Sequence, residues 1–194
     1  MTRRDPSHGW DAAADRLIHD RARSAIGVDV LRQWAAGLPP SADVLDLGCG
    51  AGVPVSSTLV ALGHRVWAID ASPRLIEAYR TRLPGASAAC EPAEASTLFG
   101  RTFDGVVAIG LLFLLDEAAQ REVLRRVGRA LAPGGRFLFT APWQTVTWND
   151  VTTGRQSRSL GRAEYRNLLA RHGLRADAMP VDEGGNHHYA ATRL

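Results

Sequence analysis

At 194 residues, with 45% hydrophobic and 22% charged residues, the chain has the composition of one globular domain with a sizeable core. No apolar run approaches the roughly 20 residues of a membrane span, and the polar N-terminus lacks the apolar stretch of a signal peptide, so the expectation is a cytoplasmic protein with no membrane partner. The net charge of +3 rests on arginine alone, lysine being absent, and the arginines are scattered; the densest group, Arg121 to Arg129, reads as the wet face of a helix rather than a nucleic-acid patch.

In chain order, the first forty residues read as helix, with Ile26, Val30, Leu31 and Trp34 at helical spacing before "GLPP" ends it. Alternation then sets in. Strand "DVLDLG" leads to helix "VPVSSTLVALG", and strand "RVWAID" leads to "SPRLIEAYRTRL", where Ser72 is a plausible N-cap and Pro73 takes the first helical position. A short strand near "ASAAC" precedes "PAEASTLFG". Strand "FDGVVAIG" leads to helix "DEAAQREVLRRVGRAL", and "APGG" turns into strand "RFLFTAP". A polar loop of about 18 residues, Trp143 to Leu160, exceeds ordinary connections and is a candidate functional segment. Helix "RAEYRNLLARHG" and strands "LRADAMPV" and "HHYAATRL" finish the chain. Alternating strands and helices predict a doubly wound, mostly parallel α/β sheet. The last two strands are separated by only about five residues, too few for a parallel crossover, so they pair as an antiparallel hairpin.

The first strand runs into Gly48, Gly50 and Gly52. A dinucleotide fingerprint requires glycine where this chain has Val53, and a phosphate-binding P-loop requires a lysine that the chain lacks. The second strand ends in Asp70, 20 residues beyond Gly50, where an acid can accept both hydroxyls of a ribose. Cys49 and Cys90 follow strands that flank the second; at about 4.8 Å per strand they lie roughly 10 Å apart, too far for a disulfide, and they have no metal-ligand spacing. No metal is expected.

The segments "VLDLGCGAG", "VWAIDASPRLIEAYR", "FDGVVAIGLLFLL" and "LAPGGRFLFTAP" resemble, in order, the motifs of the class I S-adenosylmethionine-dependent methyltransferases, over roughly residues 41–142. The resemblance implies a seven-stranded sheet of order 3-2-1-4-5-7-6 with strand 7 antiparallel. It also implies S-adenosylmethionine as cofactor and S-adenosylhomocysteine as product. It places Asp46, Gly48, Cys49, Gly50 and Gly52 around the methionyl group, Asp70 with Ala71 at the ribose, and Glu91, Pro92 and Ala93 at the adenine edge. Gly110 and Leu111 come beneath the sulfonium. Trp10, Arg23 and Ser24 fall in N-terminal helices that in this family often lid the cofactor. The expected organisation is one domain over 1–194: a helical lid (1–40), a cofactor core (41–142), and a substrate loop, last helix and hairpin (143–194).

For the acceptor, the loop after strand 5 offers Trp143, Trp148, Asn149 and Asp150, and the terminal hairpin turn offers Asn186 and His187. His187, nearer the turn than His188, is the candidate general base, an ordinary hairpin histidine being the competing reading. After strand 4 come only Leu111, Leu112 and Phe113, an apolar pocket wall if they are not core. The adenine-N6 tetrad is replaced by "IGLL" and a Pro-Cys nucleophile is missing, so a small-molecule acceptor is favoured over nucleic acid. A macromolecular acceptor, or a protein that binds the cofactor without methylating, stays open. The Ala/Arg/Gly-rich, lysine-free composition points to a GC-rich bacterial genome.

Overall fold

The computed structural model describes residues 5–194. Two helices, α1 (Ala14–Arg21) and α2 (Val28–Ala35), precede β1 (Asp43–Leu47), α3 (Val55–Ala61), β2 (Arg65–Asp70), α4 (Pro73–Arg82) and β3 (Ser87–Cys90). Then come β4 (Phe103–Ala108), α5 (Glu117–Ala130), β5 (Leu131–Thr140), β6 (Thr145–Asn149), β7 (Gln156–Leu160), α6 (Arg162–Arg171), β8 (Leu174–Ala176) and β9 (His188–Arg193). The seven-stranded sheet has the order β3-β2-β1-β4-β5-β9-β8. The pairs from β3 through β5 are parallel, and β9 is antiparallel to both neighbours. With β8 and β9 as the sixth and seventh strands of this sheet, that is the order and the strand direction the sequence motifs imply.

Period-two alternation sorts the strand residues onto two faces. Val44, Val66, Val107 and Leu138 pack with Leu31, Trp34 and Leu59 of α2 and α3. Leu45, Val106, Phe137 and Phe139 join Val123, Leu124, Tyr165 and Leu168 of α5 and α6. Gly105 is required by the first face: a Cβ there would lie 2.8 Å from the Trp34 ring. Ser72 caps α4 as expected, accepting from Leu75 N at 3.2 Å, with Pro73 opening the helix.

Three local expectations change. The segment Trp143 to Leu160 is not an open loop but contains the antiparallel hairpin β6–β7. Its inward positions on β7 are Ser157 and Ser159, both buried, so hydrophobic alternation could not announce the strand. Ser159 Oγ is satisfied by donating to Pro142 O at 2.6 Å. At the N-terminus, helix begins only at Ala14. Asp5 organises the preceding turn by accepting from Ser7 N, Ser7 Oγ and Gly9 N, with His8 and Gly9 both at positive φ. The final hairpin forms, but β8 is short; single bonds from Asp177, His188 and Asp182 carry the pairing on to a turn at 182–186.

Gln120 ties α5 to the added hairpin and to α6. Its Nε2 donates to Leu115 O and Arg158 O, and its Oε1 accepts from the buried Tyr165 hydroxyl at 2.6 Å. Replacing Gln120 by Ala strands that hydroxyl and two carbonyls. Urea unfolding of Gln120→Ala is expected to show a loss of about 2–4 kcal/mol, with wild-type stability arguing that the cluster resolvates.

Candidate active site

At the carboxyl ends of β1, β2 and β4 the backbone leaves the sheet and opens a cavity of about 270 Å³. That is just below the range of roughly 300–1,000 Å³ typical of small-molecule sites. Gly48, Gly50 and Gly52 all have positive φ. Two of them are also forced by space: a Cβ on Gly48 would sit 3.0 Å from the Leu111 side chain, and one on Gly52 would sit 3.0 Å from Leu83 and Tyr79. Gly50 faces the cavity with only Leu17 nearby, at 3.7 Å from where its Cβ would be.

Asp70 holds this turn in place. Its Oδ2 accepts from Gly50 N and its Oδ1 from Ser72 N, each at 2.9 Å. Burial raises its pKa, and the donors from Ser72, Gly50 and Ala71 oppose that rise. Asp46 sits deeper, on the α3 side of β1. Its Oδ2 accepts from Ser56 Oγ at 2.6 Å, and Ser56 in turn accepts from the Tyr79 hydroxyl at 3.1 Å. Its Oδ1 is buried without a partner. Burial, opposed by the Ser56 hydrogen bond and reinforced by the neighbouring Asp70 charge, pushes the Asp46 carboxyl up to about 7.

The cavity wall contains Asp46, Gly48, Cys49, Gly50, Asp70, Ala71, Pro92, Ala93, Gly110, Leu111 and Asp150 from the residues singled out in the sequence. Gly52 lies behind the turn. Glu91 is also outside the wall: its carboxylate accepts from Ser96 Oγ at 2.7 Å, and Glu94, three residues on, lines the cavity instead. The acceptor-side expectations fare differently. Trp143 and His187 stack on each other, centroids 4.1 Å apart, and His187 Nδ1 accepts from Trp143 N. This ring pair brackets the hairpin against β9 and does not line the cavity, so the wall offers His187 no place as its base. Trp148 packs on Phe113, Asn149 is exposed on β6, and Asn186 donates to Asp182. Asp150 lines the cavity, but its Oδ1 is spent on Thr152 N, Thr153 N and Thr153 Oγ1, which close the hairpin turn.

The N-terminal segment forms the roof. Trp10 is in the wall as expected, whereas Arg23 and Ser24 are not; Ser7, His8, Leu17 and Arg21 are. Leu17 and Arg21 stand one turn apart on α1, which is the spacing that could have revealed them. Arg21 Nη2 comes within 3.7 Å of where a Gly110 Cβ would sit, and among the described residues the Arg21 guanidinium has no hydrogen bond or ion pair. The roof is pinned to α4 by Asp11, which accepts from Ser72 Oγ at 2.6 Å and Arg74 N at 3.1 Å, and to the β6–β7 hairpin by Asp5 and Arg155 at 3.3 Å.

A family model described as "Methyltransferase domain" matches residues 44–135. The trans-aconitate 2-methyltransferase of Paracidovorax citrulli is 30% identical over 193 residues, 84% of this chain and 68% of that protein. This chain belongs to the class I S-adenosylmethionine-dependent methyltransferases. The cypemycin N-terminal methyltransferase of Streptomyces is 40% identical over 95 residues, but those cover only 47% of this chain and 38% of that protein. Among solved structures, the S-adenosylmethionine-bound amino pentose methyltransferase of Micromonospora echinaspora superposes with a TM-score of 0.73, at 20% identity, over 93% of this chain and 96% of its own. The 1,6-didemethyltoxoflavin-N1-methyltransferase of Burkholderia thailandensis, with bound substrate and S-adenosylhomocysteine, gives 0.69 at 21% identity, over 96% and 90%. At these identities the superpositions establish the fold shared with the methyltransferase family.

The residues of this chain fit the family's cofactor. Among the described residues, a buried acceptor without a partner (Asp46 Oδ1), a cavity-lining guanidinium without a partner (Arg21) and a glycine turn open to the cavity are complementary to the ammonium, carboxylate and backbone of an amino acid. The raised Asp46 pKa gives a testable sign in the cofactor-free protein. Folding holds a proton that the unfolded chain releases above the ordinary carboxylate range, so this contribution to stability is full at low pH and is lost as pH rises towards about 7. Asp46→Asn removes the loss. Between pH 5 and pH 8 the unfolding free energy from urea titration should therefore move in favour of the variant by about 1–4 kcal/mol relative to wild type, and a pH-independent difference would refute the shift.

Proposed function

We propose that this chain moves the methyl group of S-adenosylmethionine to a small-molecule acceptor. The observation that carries the reading is the complementarity at the end of β1: the unpartnered Asp46 Oδ1 and the unpaired Arg21 share one wall with the Asp70-tethered glycine turn. In this reading Arg21 takes the methionyl carboxylate, and Asp46 and the turn at Gly48 to Gly50 take the ammonium end. Asp70 takes the ribose, with Ala71 beside it. Pro92, Ala93 and Glu94 edge the adenine, and Gly110 and Leu111 lie under the sulfonium.

The bound cofactor supplies an electrophilic methyl group that needs no further activation. What the chain contributes is alignment of the acceptor for an in-line displacement, and exclusion of water. The apolar Leu111 and Phe113 with the roof residues Trp10 and Leu17 provide that exclusion. The small, roofed cavity supports a small acceptor, as do relatives named for trans-aconitate, an amino pentose and didemethyltoxoflavin. A reducing, cytoplasmic bacterial setting suits the two free cysteines and the arginine-for-lysine composition.

Calorimetric titration with S-adenosylhomocysteine tests the reading. Wild type should bind; Asp70→Asn and Arg21→Gln should each lose about tenfold or more, the loss of a charge-assisted hydrogen bond. A folded wild type that binds neither S-adenosylhomocysteine nor S-adenosylmethionine would overturn it. Binding without transfer of a labelled methyl group to any acceptor would favour a cofactor-binding protein that does not methylate.

A further inference from the structure

The acceptor side of the cavity lacks an obvious base. Leu111, Phe113 and Leu114 are apolar, Asp150 spends its Oδ1 on its own turn, and His187 is stacked away on Trp143. Of the six histidines, His8 alone lines the cavity. It is half-buried, and its ring makes no hydrogen bond or ion pair among the described residues.

Its placement is built. His8 has φ +52, a left-handed conformation that histidine adopts more readily than most side chains but that still needs a turn to hold it. Here Asp5 does so, gripping the turn on both sides of His8 through Ser7 and Gly9 at 2.7–3.0 Å, and Arg155 of the hairpin grips Asp5. Gly9 is packed so closely on the hairpin tip that a Cβ there would meet Arg155 Nε at 3.1 Å and Thr153 at 3.4 Å. His8 is therefore fixed beside the hairpin, whose Trp148 touches Phe113, while the other end of the same segment is tied at Asp11 to the α4 cap, on the Asp70 side. The roof thus presents its one imidazole at the hairpin end of the cavity, where β4 and the Phe113 turn form the wall.

We propose that His8 is the acceptor-side base of this site, and that the acceptor is a protic nucleophile, a hydroxyl or an ammonium, whose proton must leave. The proposal rests on the methyltransferase reading above. An ammonium first gives a proton to an imidazole nitrogen of His8, the N–H pair becoming the lone pair that attacks, whereas a hydroxyl gives its proton as it attacks; in either case the heteroatom's lone pair forms the bond to the methyl carbon, the carbon–sulfur pair returns to sulfur, and the proton passes from His8 to solvent. Imidazole suits this exchange because it changes charge near neutrality. The charged groups around it are Asp5 in its own turn, Asp150 and Arg155 from the hairpin and Arg21 from α1, with Asp46, Asp70 and Glu94 elsewhere on the wall.

The test uses the sulfonium charge as a probe. S-adenosylmethionine carries that charge and S-adenosylhomocysteine does not, so an imidazole beside the reacting methyl is harder to protonate in the first complex than in the second. Histidine ring resonances are titrated by NMR in both complexes, and His8 is assigned by its disappearance in His8→Asn; asparagine accepts positive φ, so the turn survives. The expected result is a His8 midpoint lower by about half a pH unit or more with S-adenosylmethionine, and His8→Asn binding both ligands within about threefold of wild type. Equal midpoints in the two complexes overturn the proposal, as does a tenfold loss of S-adenosylhomocysteine binding in His8→Asn, which would make His8 a cofactor contact. If wild type binds neither ligand, the methyltransferase reading itself falls, a failure visible before any titration. A phenol, a hydroxy acid and an amino sugar serve as acceptors for a rate comparison. For one that wild type methylates, His8→Asn should lower kcat by about 10²-fold or more with little change in KM. Equal turnover by both proteins overturns the role.

Discussion

The site depends on one carboxylate bridging two strand ends. Gly48 N and Cys49 N both donate to Ile69 O, and Asp70, the next residue, accepts from Gly50 N and Ser72 N. The glycine turn is thereby fastened to the end of β2 instead of being a free loop, and its conformation is fixed before any ligand arrives. Pre-organisation of this kind cuts the ordering cost of binding. It also means that Asp70 carries a structural duty along with the ribose contact proposed for it, and so Asp70→Asn, which keeps an acceptor oxygen, is a more informative variant than Asp70→Ala.

A second constraint follows from the first. Bringing β1 and β2 together buries Asp46 near Asp70, and burial together with the Asp70 charge disfavours the charged form of Asp46. The Ser56–Tyr79 relay satisfies one oxygen of Asp46 and leaves the other bare. A wall so arranged favours a ligand that brings positive charge or a donor to that spot and disfavours an anion. The same reasoning accounts for the failure of the phosphate readings of the glycine turn: beyond lacking a lysine, the turn presents a carboxylate where a phosphate would need positive charge.

How much of this was legible from the chain follows from how local each signal is. The glycine turn, Asp70, the Ser72 cap and the antiparallel end of the sheet are written in short segments whose backbone demands identify them. The β6–β7 hairpin was not, because its buried positions on β7 are Ser157 and Ser159, which carry no hydrophobic alternation; Ser159 donates to Pro142 O and accepts from Gly161 N. Glu91 and Glu94 are three residues apart, and the Ser96 hydroxyl holds Glu91 while Glu94 lines the cavity, a difference that spacing alone does not encode. His8 and Arg21 reach the site through long-range contacts between the roof, α4 and the hairpin, with sequence separations as large as 150 residues. No window of sequence contains such a contact. Helical periodicity on α1 would have grouped Leu17 with Arg21, but not told which surface they cover.

Floor and roof differ in what holds them. The floor is sheet backbone flanked by fully buried Leu45, Leu47, Val107 and Ile69, and opening it means losing the core. The roof packs Ala14, Trp10, Leu17 and Ile18 against Ala51, Leu75 and Ala78 on the α4 side, and its polar contacts have mostly exposed partners: Arg74–Asp15 at 2.7 Å, with side chains 46% and 81% exposed, and Arg155–Asp5 at 3.3 Å, with 51% and 37%. Pairs this exposed contribute about 0–1 kcal/mol each. The better-shielded contact is Ser72 Oγ to Asp11, and Ser72 is the same residue that caps α4 and donates its N–H to Asp70. The roof's firmest attachment therefore lies on the Asp70 side, and its weakest at the hairpin, beside His8. Local opening costs least where the attachment is weakest. A molecule entering from solvent meets the lowest resistance at the hairpin end, the end where an acceptor must approach the methyl group, while the Asp70 end stays closed over whatever nucleoside it holds.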